Sequence, residues 1–261
     1  MDTRTVRGVR DLGVNKGATG SHIIECDDGK TYVVKFAGRS KAAVNEFLGQ
    51  ALASQVGLPV PAASLVEVGA DLVAGSADMR YRNIAPGLHQ GSEMVRRSFD
   101  LSEWERRLSS ERQPLTNLGS LAHTICHDNW ILTTDRDRAD NHLFAPVEGE
   151  LSYLMVDFTH AFTGPSWTVD TLEQGSYLRT LVPIHPLIAD QVRGIASFEP
   201  TLERIETLSD KEVEDAVTAI PDSWGVTPEE RLCLVGFLEL RRGLLRTILT
   251  SNSAAFPNWS D

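Results

Sequence analysis

The 261-residue sequence contains no uninterrupted apolar run long enough to cross a bilayer, although 41% of its residues are hydrophobic. Its opening, MDTRTVRGVRDLG, lacks the apolar core that marks a secretory signal. Cysteine is scarce. Cys26, Cys126 and Cys233 are odd in number and widely separated, which argues against a disulfide framework and for reduced thiols in a cytoplasmic protein. Positive charge is short as well: Lys and Arg total 25 against 36 Asp and Glu, for a formal net charge of −11. That balance argues against a general nucleic-acid binder, which needs accessible cations to neutralise phosphates. Arg80, Arg82, Arg96 and Arg97 bracket a Gly/Ser-containing region that could contact an anion, but separated arginines read first as solvated. Repeats and low-complexity tracts are also missing. What remains is a chain able to bury a substantial core, as one large domain or two lobes.

The densest chemistry lies in TTDRDRADNHLF and, about ten residues later, LMVDFTHAF. The first segment reads as a polar loop entering a strand at Leu143 and Phe144; the second is a buried-strand pattern, Leu151 to Val156, that ends on Asp157. A hairpin of these strands brings Asn141 and Asp157 together at one end. An amide and a carboxylate suffice for magnesium, which prefers oxygen ligands and shares them with water and phosphate. A calcium loop is a rival, because Asp135, Asp137 and Asp140 resemble a partial ligand set. It fails where Ala139 replaces an oxygen ligand, Asp140 the turn glycine and Pro146 the bidentate glutamate. The plain alternative is a solvated acidic turn.

Upstream, SHIIECDDGK and KTYVVKF form a hairpin pattern over Ser21 to Phe36, with an Asp-Asp-Gly turn and Lys35 embedded in the second strand. Before it stands NKGATGS. Gly17 and Gly20 free the backbone, and N–H groups around Gly17, Gly20 and Ser21 could cradle phosphates; an ordinary hairpin loop is the competing reading. Next, Ala43, Phe47, Ala51 and Leu52 recur at helical spacing, with Gly57 as a stop signal. Glu46 on that helix either faces solvent or holds Lys35 over nucleotide phosphates. His123 and His127, four apart beside Cys126, invite a zinc reading. No HExxH glutamate or second Cys pair completes it, and Leu118, Leu121, Ala122 and Ile125 form an apolar stripe.

Taken in order, these parts resemble the HipA-like kinases, in the wider group of protein kinases and phosphatidylinositol 3/4-kinases. The resemblance spans most of the chain and rests on VVKF, NEFLGQALASQVGLPVP, the DNW…TDR…DN stretch, VDFTHAF, and a late IPDSW before a terminal helix with paired arginines. Standard HRD and DFG motifs are absent. The resemblance implies ATP and Mg2+ as cofactors and transfer of the γ-phosphate to a hydroxyl, first of all a protein Ser/Thr, with small-molecule or lipid acceptors and a regulatory pseudokinase as alternatives. It implies Lys35 on the nucleotide phosphates, Glu46 orienting it, Asp135 as catalytic aspartate, Asn141 and Asp157 as metal ligands, and His160 in support. It also suggests an antitoxin-like partner. The usual spacing places four residues between catalytic aspartate and metal asparagine, whereas five separate Asp135 from Asn141 and three separate Asp137 from it. The base is therefore either Asp135 or Asp137.

The expected fold is α+β and bilobal. Residues 1–78 form a strand-rich N-lobe with the phosphate loop, lysine strand and glutamate helix, and residues 79–261 a mainly helical C-lobe with the catalytic and metal loops. Helical character is expected over Asp100 to Leu108, over Leu115 to Leu132, and again after Thr163-Gly164-Pro165. Thr227-Pro228-Glu229-Glu230 supplies an N-cap, a proline at the first helical position and a capping-box glutamate for a helix reaching Ile248. Leu232, Val235, Leu238 and Leu245 are its expected core positions.

Overall fold

The computed structural model describes residues 4–15, 20–38, 40–108 and 115–260. Its first strands, β1 (Thr5–Val14), β2 (His22–Cys26) and β3 (Thr31–Lys35), are antiparallel neighbours, with β2 and β3 forming the expected hairpin. Helix α1 (Ala42–Gln55) follows, then β4 (Ala63–Val68), two short helices, α2 (Ala70–Gly75) and α3 (Ala77–Tyr81), and β5 (Gly87–Glu93). The strands close into a barrel of order β1-β2-β3-β5-β4, the seam being a parallel pairing of Val6 with Val66. Closure leaves no open sheet edge. Alternation aims Val6, Ile24, Tyr32, Val34, Val66 and Val68 into a small separate core. Because β5 pairs with both β3 and β4, the sheet continues past residue 78, where the sequence reading divided the chain.

A second sheet joins β6 (Phe99–Asp100), β7 (His142–Val147) and β8 (Glu150–Met155); between its strands in sequence lie α4 (Leu101–Leu108) and α5 (Gly119–Ile131). The helical C-terminal part continues with α6 (Val169–Glu173), α7 (Pro186–Ala189), α8 (Thr201–Thr207), α9 (Asp210–Thr218) and α10 (Pro228–Ser251). Helix α5 is buried on almost every face, and α10 packs on it and on α6, α8 and α9. The Thr227–Glu230 capping box and Pro228 start α10 as expected.

Three local expectations change in the folded chain. The helix expected from Leu115 begins only at Gly119, because Leu115 bridges to Leu151 and Asn117 bonds the backbone of Tyr153, leaving Leu118 exposed. Between Pro165 and Pro200 the chain forms only short helices joined by turns; prolines and glycines at 175, 183, 186, 194 and 200 interrupt any longer one. On α10, Leu238 and Leu245 are fully buried, whereas Leu232 is 74% exposed and lines an open groove beside α6.

Helix α1 sits between the two parts. Ala43, Val44, Phe47, Leu48 and Leu52 join the core of the helical part rather than that of the barrel, so the helix is apolar around most of its circumference. Trp224 of IPDSW locks this junction: its ring meets Phe47 edge-on at 5.6 Å and its Nε1 donates to the Leu88 carbonyl of β5 at 2.7 Å.

Candidate active site

Lys35 is the last residue of β3, and alternation places its side chain on the face of Val33, opposite the barrel-core residues Tyr32 and Val34 and toward α1. Only 8% of it is exposed, so its charge requires partners. Nζ donates to Glu46 Oε2 at 2.6 Å, Asp157 Oδ1 at 2.7 Å and Thr159 Oγ1 at 2.8 Å. Burial alone would lower the ammonium pKa; the two carboxylates outweigh it and raise the value. For Asp157 burial pushes upward, but the Lys35 charge, with hydrogen bonds from Lys35 and Thr159, holds the carboxyl well below the usual range.

Glu46 has a second task. The oxygen that receives Lys35 also accepts the Phe158 N–H at 2.7 Å, tying α1 to the backbone that follows Asp157. This approach depends on Gly49, one turn farther along α1, because a Cβ there would lie 2.7 Å from Phe158 Cβ. Asp157 itself has φ +61°, in the left-handed region that side chains other than glycine rarely occupy. Asn45, beside Glu46, adds amide contacts to the carbonyls of Thr159 at 2.8 Å and Ala161 at 2.9 Å, while its Oδ1 accepts from Trp167 Nε1 at 2.7 Å.

Asn141 ends a short 3-10 turn, Ala139–Asn141, directly before β7, and Asp157 follows β8; the register His142↔Met155 brings the two ends side by side. Arg136 bolts them together. Its buried guanidinium donates to the carbonyls of Asn141 at 2.8 Å, Val156 at 2.6 Å and Asp157 at 3.3 Å, and Nε donates to Asp128 Oδ1 at 3.1 Å. Burial pushes the Asp128 carboxyl up to about 6 against the opposing pull of Arg136. His142 links the loop to β8, with Nε2 2.9 Å from the Arg136 carbonyl and Nδ1 3.0 Å from the Tyr153 hydroxyl. Burial and the Arg136 charge push its pKa down to about 3, so it is neutral; the carbonyl requires Nε2 to donate, leaving Nδ1 to accept from Tyr153.

A cleft of about 460 Å³ opens over these groups and is lined by Ser21, Lys35, Glu46, Asp135, Asn141 and Asp157. The lining also includes Glu93, the last residue of β5, with Met94 and Val95 after it. Gly20 adopts φ +64° beside Ser21, while Gly17 lies outside the described residues. Asp135 lines the cleft; Asp137 is exposed and does not. His160 lines the mouth, and its carbonyl accepts from Thr134 N at 3.1 Å. Asp140 pairs with Arg138 at the surface. His123 reaches the Glu199 carbonyl at 2.8 Å, whereas His127 is buried against the Phe158 ring at 5.5 Å. Arg82 pairs with Asp78, and Arg80 bonds the Ala74 carbonyl.

The donors suit a hard cation. Asn141 Nδ2 is committed to the Asp135 carbonyl at 2.9 Å and Asp157 Oδ1 to Lys35 and Thr159, so among the described residues no hydrogen bond reaches Asn141 Oδ1 or Asp157 Oδ2. Two neutral-to-anionic oxygens with room beside them form the partial shell that magnesium takes from protein. Sequence reasoning missed Arg136, Asp128, Thr159 and Asn45. Arg136 stands in a polar run where Arg138 looks equivalent, and only burial separates them; Thr159 and Asn45 flank recognised residues and could have been found by adjacency.

The family model described as HipA-like kinase matches residues 10–251. No curated protein matches the sequence. Among solved structures, the fold is similar to a Helicobacter pylori proinflammatory kinase, CtkA, with a TM-score of 0.62 at 10% identity, covering 97% of this chain and 99% of that one. WaaP, in a complex with acyl carrier protein, gives a TM-score of 0.35 at 14% identity over 93% of this chain and 83% of its own, too low to bear on the fold.

Proposed function

The chain belongs to the HipA-like kinase family, and from that premise we propose that it is an ATP-dependent phosphotransferase that passes the γ-phosphoryl group to a hydroxyl, foremost that of a protein Ser or Thr. The observation that carries this reading is the convergence of Lys35, Glu46, Asp135, Asn141 and Asp157 on one cleft from four different stretches of chain. In this reading the barrel and α1 act as an N-lobe over the helical part, and the nucleotide lies between them.

Lys35 contacts the nucleotide phosphates, held at the correct height by Glu46. Asn141 and Asp157 would hold Mg2+, which would supply charge neutralisation for the transferred group. Asp135 orients the acceptor hydroxyl and takes its proton; its place in the lining favours it over Asp137. In this reading Ser21, which lines the cleft beside Gly20, serves the phosphate end and the lining segment Glu93 to Val95 the base end. The protein's share of catalysis is then positioning and electrostatics, as expected for phosphoryl transfer. A cytoplasmic location and an antitoxin-like partner are part of the same proposal, the first in keeping with three free thiols and the absence, among the described residues, of a helix long and apolar enough to cross a membrane.

The test is magnesium-dependent ADP formation from ATP by the wild type beside Asp157→Asn, with a mixed protein extract as acceptor and product mass to identify what is modified. Loss of ADP formation in the variant supports the phosphotransferase and its metal site. Equal rates in two folded proteins overturn the assignment in favour of a nucleotide-binding pseudokinase.

A further inference from the structure

The inner wall of the cleft holds a buried amide that the chemistry above does not use. Gln50 lies one helical turn beyond Glu46 on α1, lines the cleft and is 2% exposed. Its Nε2 donates to the Pro61 carbonyl at 2.6 Å. Its Oε1 accepts from Gln90 Nε2 at 2.9 Å and from Ser92 Oγ at 3.0 Å, and Gln90 Nε2 also reaches Ser92 Oγ at 3.1 Å. Both lone-pair directions of the carbonyl are taken and the amino group is engaged, so the amide is spent on protein rather than held ready for a ligand. The network carries a cost, since Gln90 Oε1 is buried with no hydrogen-bond partner among the described residues. An apolar side chain at position 50 would leave Gln90 Oε1 as it is, would take the donor from the Pro61 carbonyl, and would fix no direction.

We propose that Gln50 is a positioning residue that sets the rotation of α1 and thereby the Lys35–Glu46 pair. Residues four apart share a helix face, so the rotation that satisfies Gln50 is the one that delivers Glu46 to Lys35. Asn45 holds the other side of the helix on the segment after Asp157, so Glu46 is fixed between two amide ties. The Gln50 tie runs to β5, which continues into the cleft wall at Glu93. Placement of the base-end wall and placement of the catalytic lysine are therefore coupled through one side chain. Its effect on rate rests on the nucleotide-site reading; its effect on Lys35 does not.

Two measurements on Gln50→Leu, Glu46→Gln and the double variant separate these levels. The first is acylation of Lys35 by an N-hydroxysuccinimide acetate ester at fixed pH, read by peptide mass spectrometry in protein without nucleotide. Gln50→Leu should raise Lys35 labelling about threefold or more, Glu46→Gln should do likewise, and the double variant should add nothing beyond the larger single effect, as expected of residues in one network. Unchanged labelling in Gln50→Leu, or effects that multiply, overturns the proposal. The second is the turnover rate with MgATP, where Gln50→Leu should lower kcat about tenfold in the wild-type background and less than about twofold in Glu46→Gln. Should the wild type make no ADP, the kinase reading fails while the labelling still decides the role of Gln50. Gln50→Glu, which keeps the acceptor for Gln90 and Ser92 but gives up the donor to Pro61, guards against misfolding of the leucine variant and should label between it and wild type; labelling equal to wild type in both variants overturns the proposal.

Discussion

Glu46 Oε2 receives two protons' worth of hydrogen bonding, from Lys35 Nζ at 2.6 Å and from the Phe158 N–H at 2.7 Å. A single carboxylate oxygen therefore fixes the lysine of the barrel and the backbone beside Asp157 at once. Losing it should be felt in both places.

Glu46→Ala should leave Lys35 paired with Asp157 alone and the Phe158 N–H unpartnered. Removing one member of a buried ion pair costs roughly 3–5 kcal/mol, and the remaining Asp157 contact places the loss near the low end, about 3 kcal/mol. Urea denaturation measures it. In the proposed reaction the same variant should lose rate, and an unchanged rate would argue against the pairing.

Asp157→Asn tests linkage as well as chemistry. Its folded pKa lies below the unfolded carboxylate value of about 3.9, so the stability it contributes is complete above that pH and is lost as pH falls through the folded value. The difference in Tm between wild type and variant should be constant at neutral pH and shrink as pH drops below about 4. A difference that persists undiminished into strong acid would show that the carboxylate charge is not the source.

Gly49→Ala should be costly although alanine favours helices. The added Cβ would stand 2.7 Å from Phe158, forcing α1 away from the segment that follows Asp157. Overpacking of this kind costs about 1–3 kcal/mol. Thermal unfolding should register a fall of roughly 2–4 °C for each kcal/mol in a chain of this size.

Arg136→Lys should fail as a conservative exchange. One ammonium cannot reach the carbonyls of Asn141, Val156 and Asp157 together with Asp128, as the guanidinium fork does. A loss of about 3 kcal/mol or more is expected in denaturant unfolding. Arg138→Lys, two residues on and exposed, should change stability by less than about 0.5 kcal/mol.

Local pattern determined a good deal. The β2–β3 hairpin, the run of α1 and the capping box at Thr227–Glu230 follow from alternation, helical spacing and short-range hydrogen bonding, all contained within a few neighbouring residues. The same locality made Lys35 and Asp157 stand out, one embedded in an apolar strand and the other ending one, whereas Glu46 gained its meaning from the order of the parts along the chain. Tertiary structure decided what a residue's type and spacing do not encode. Arg136 is buried and Arg138 exposed within one polar loop; Leu238 is enclosed and Leu232 bare on one helix; Gly49, unremarked in sequence, sets how closely α1 meets Phe158. Gln50 and Gln90, which sequence reasoning passed over, meet across 40 residues of chain. In each case the deciding neighbour arrives from far away in sequence, and burial and hydrogen-bond partners exist only once it has arrived.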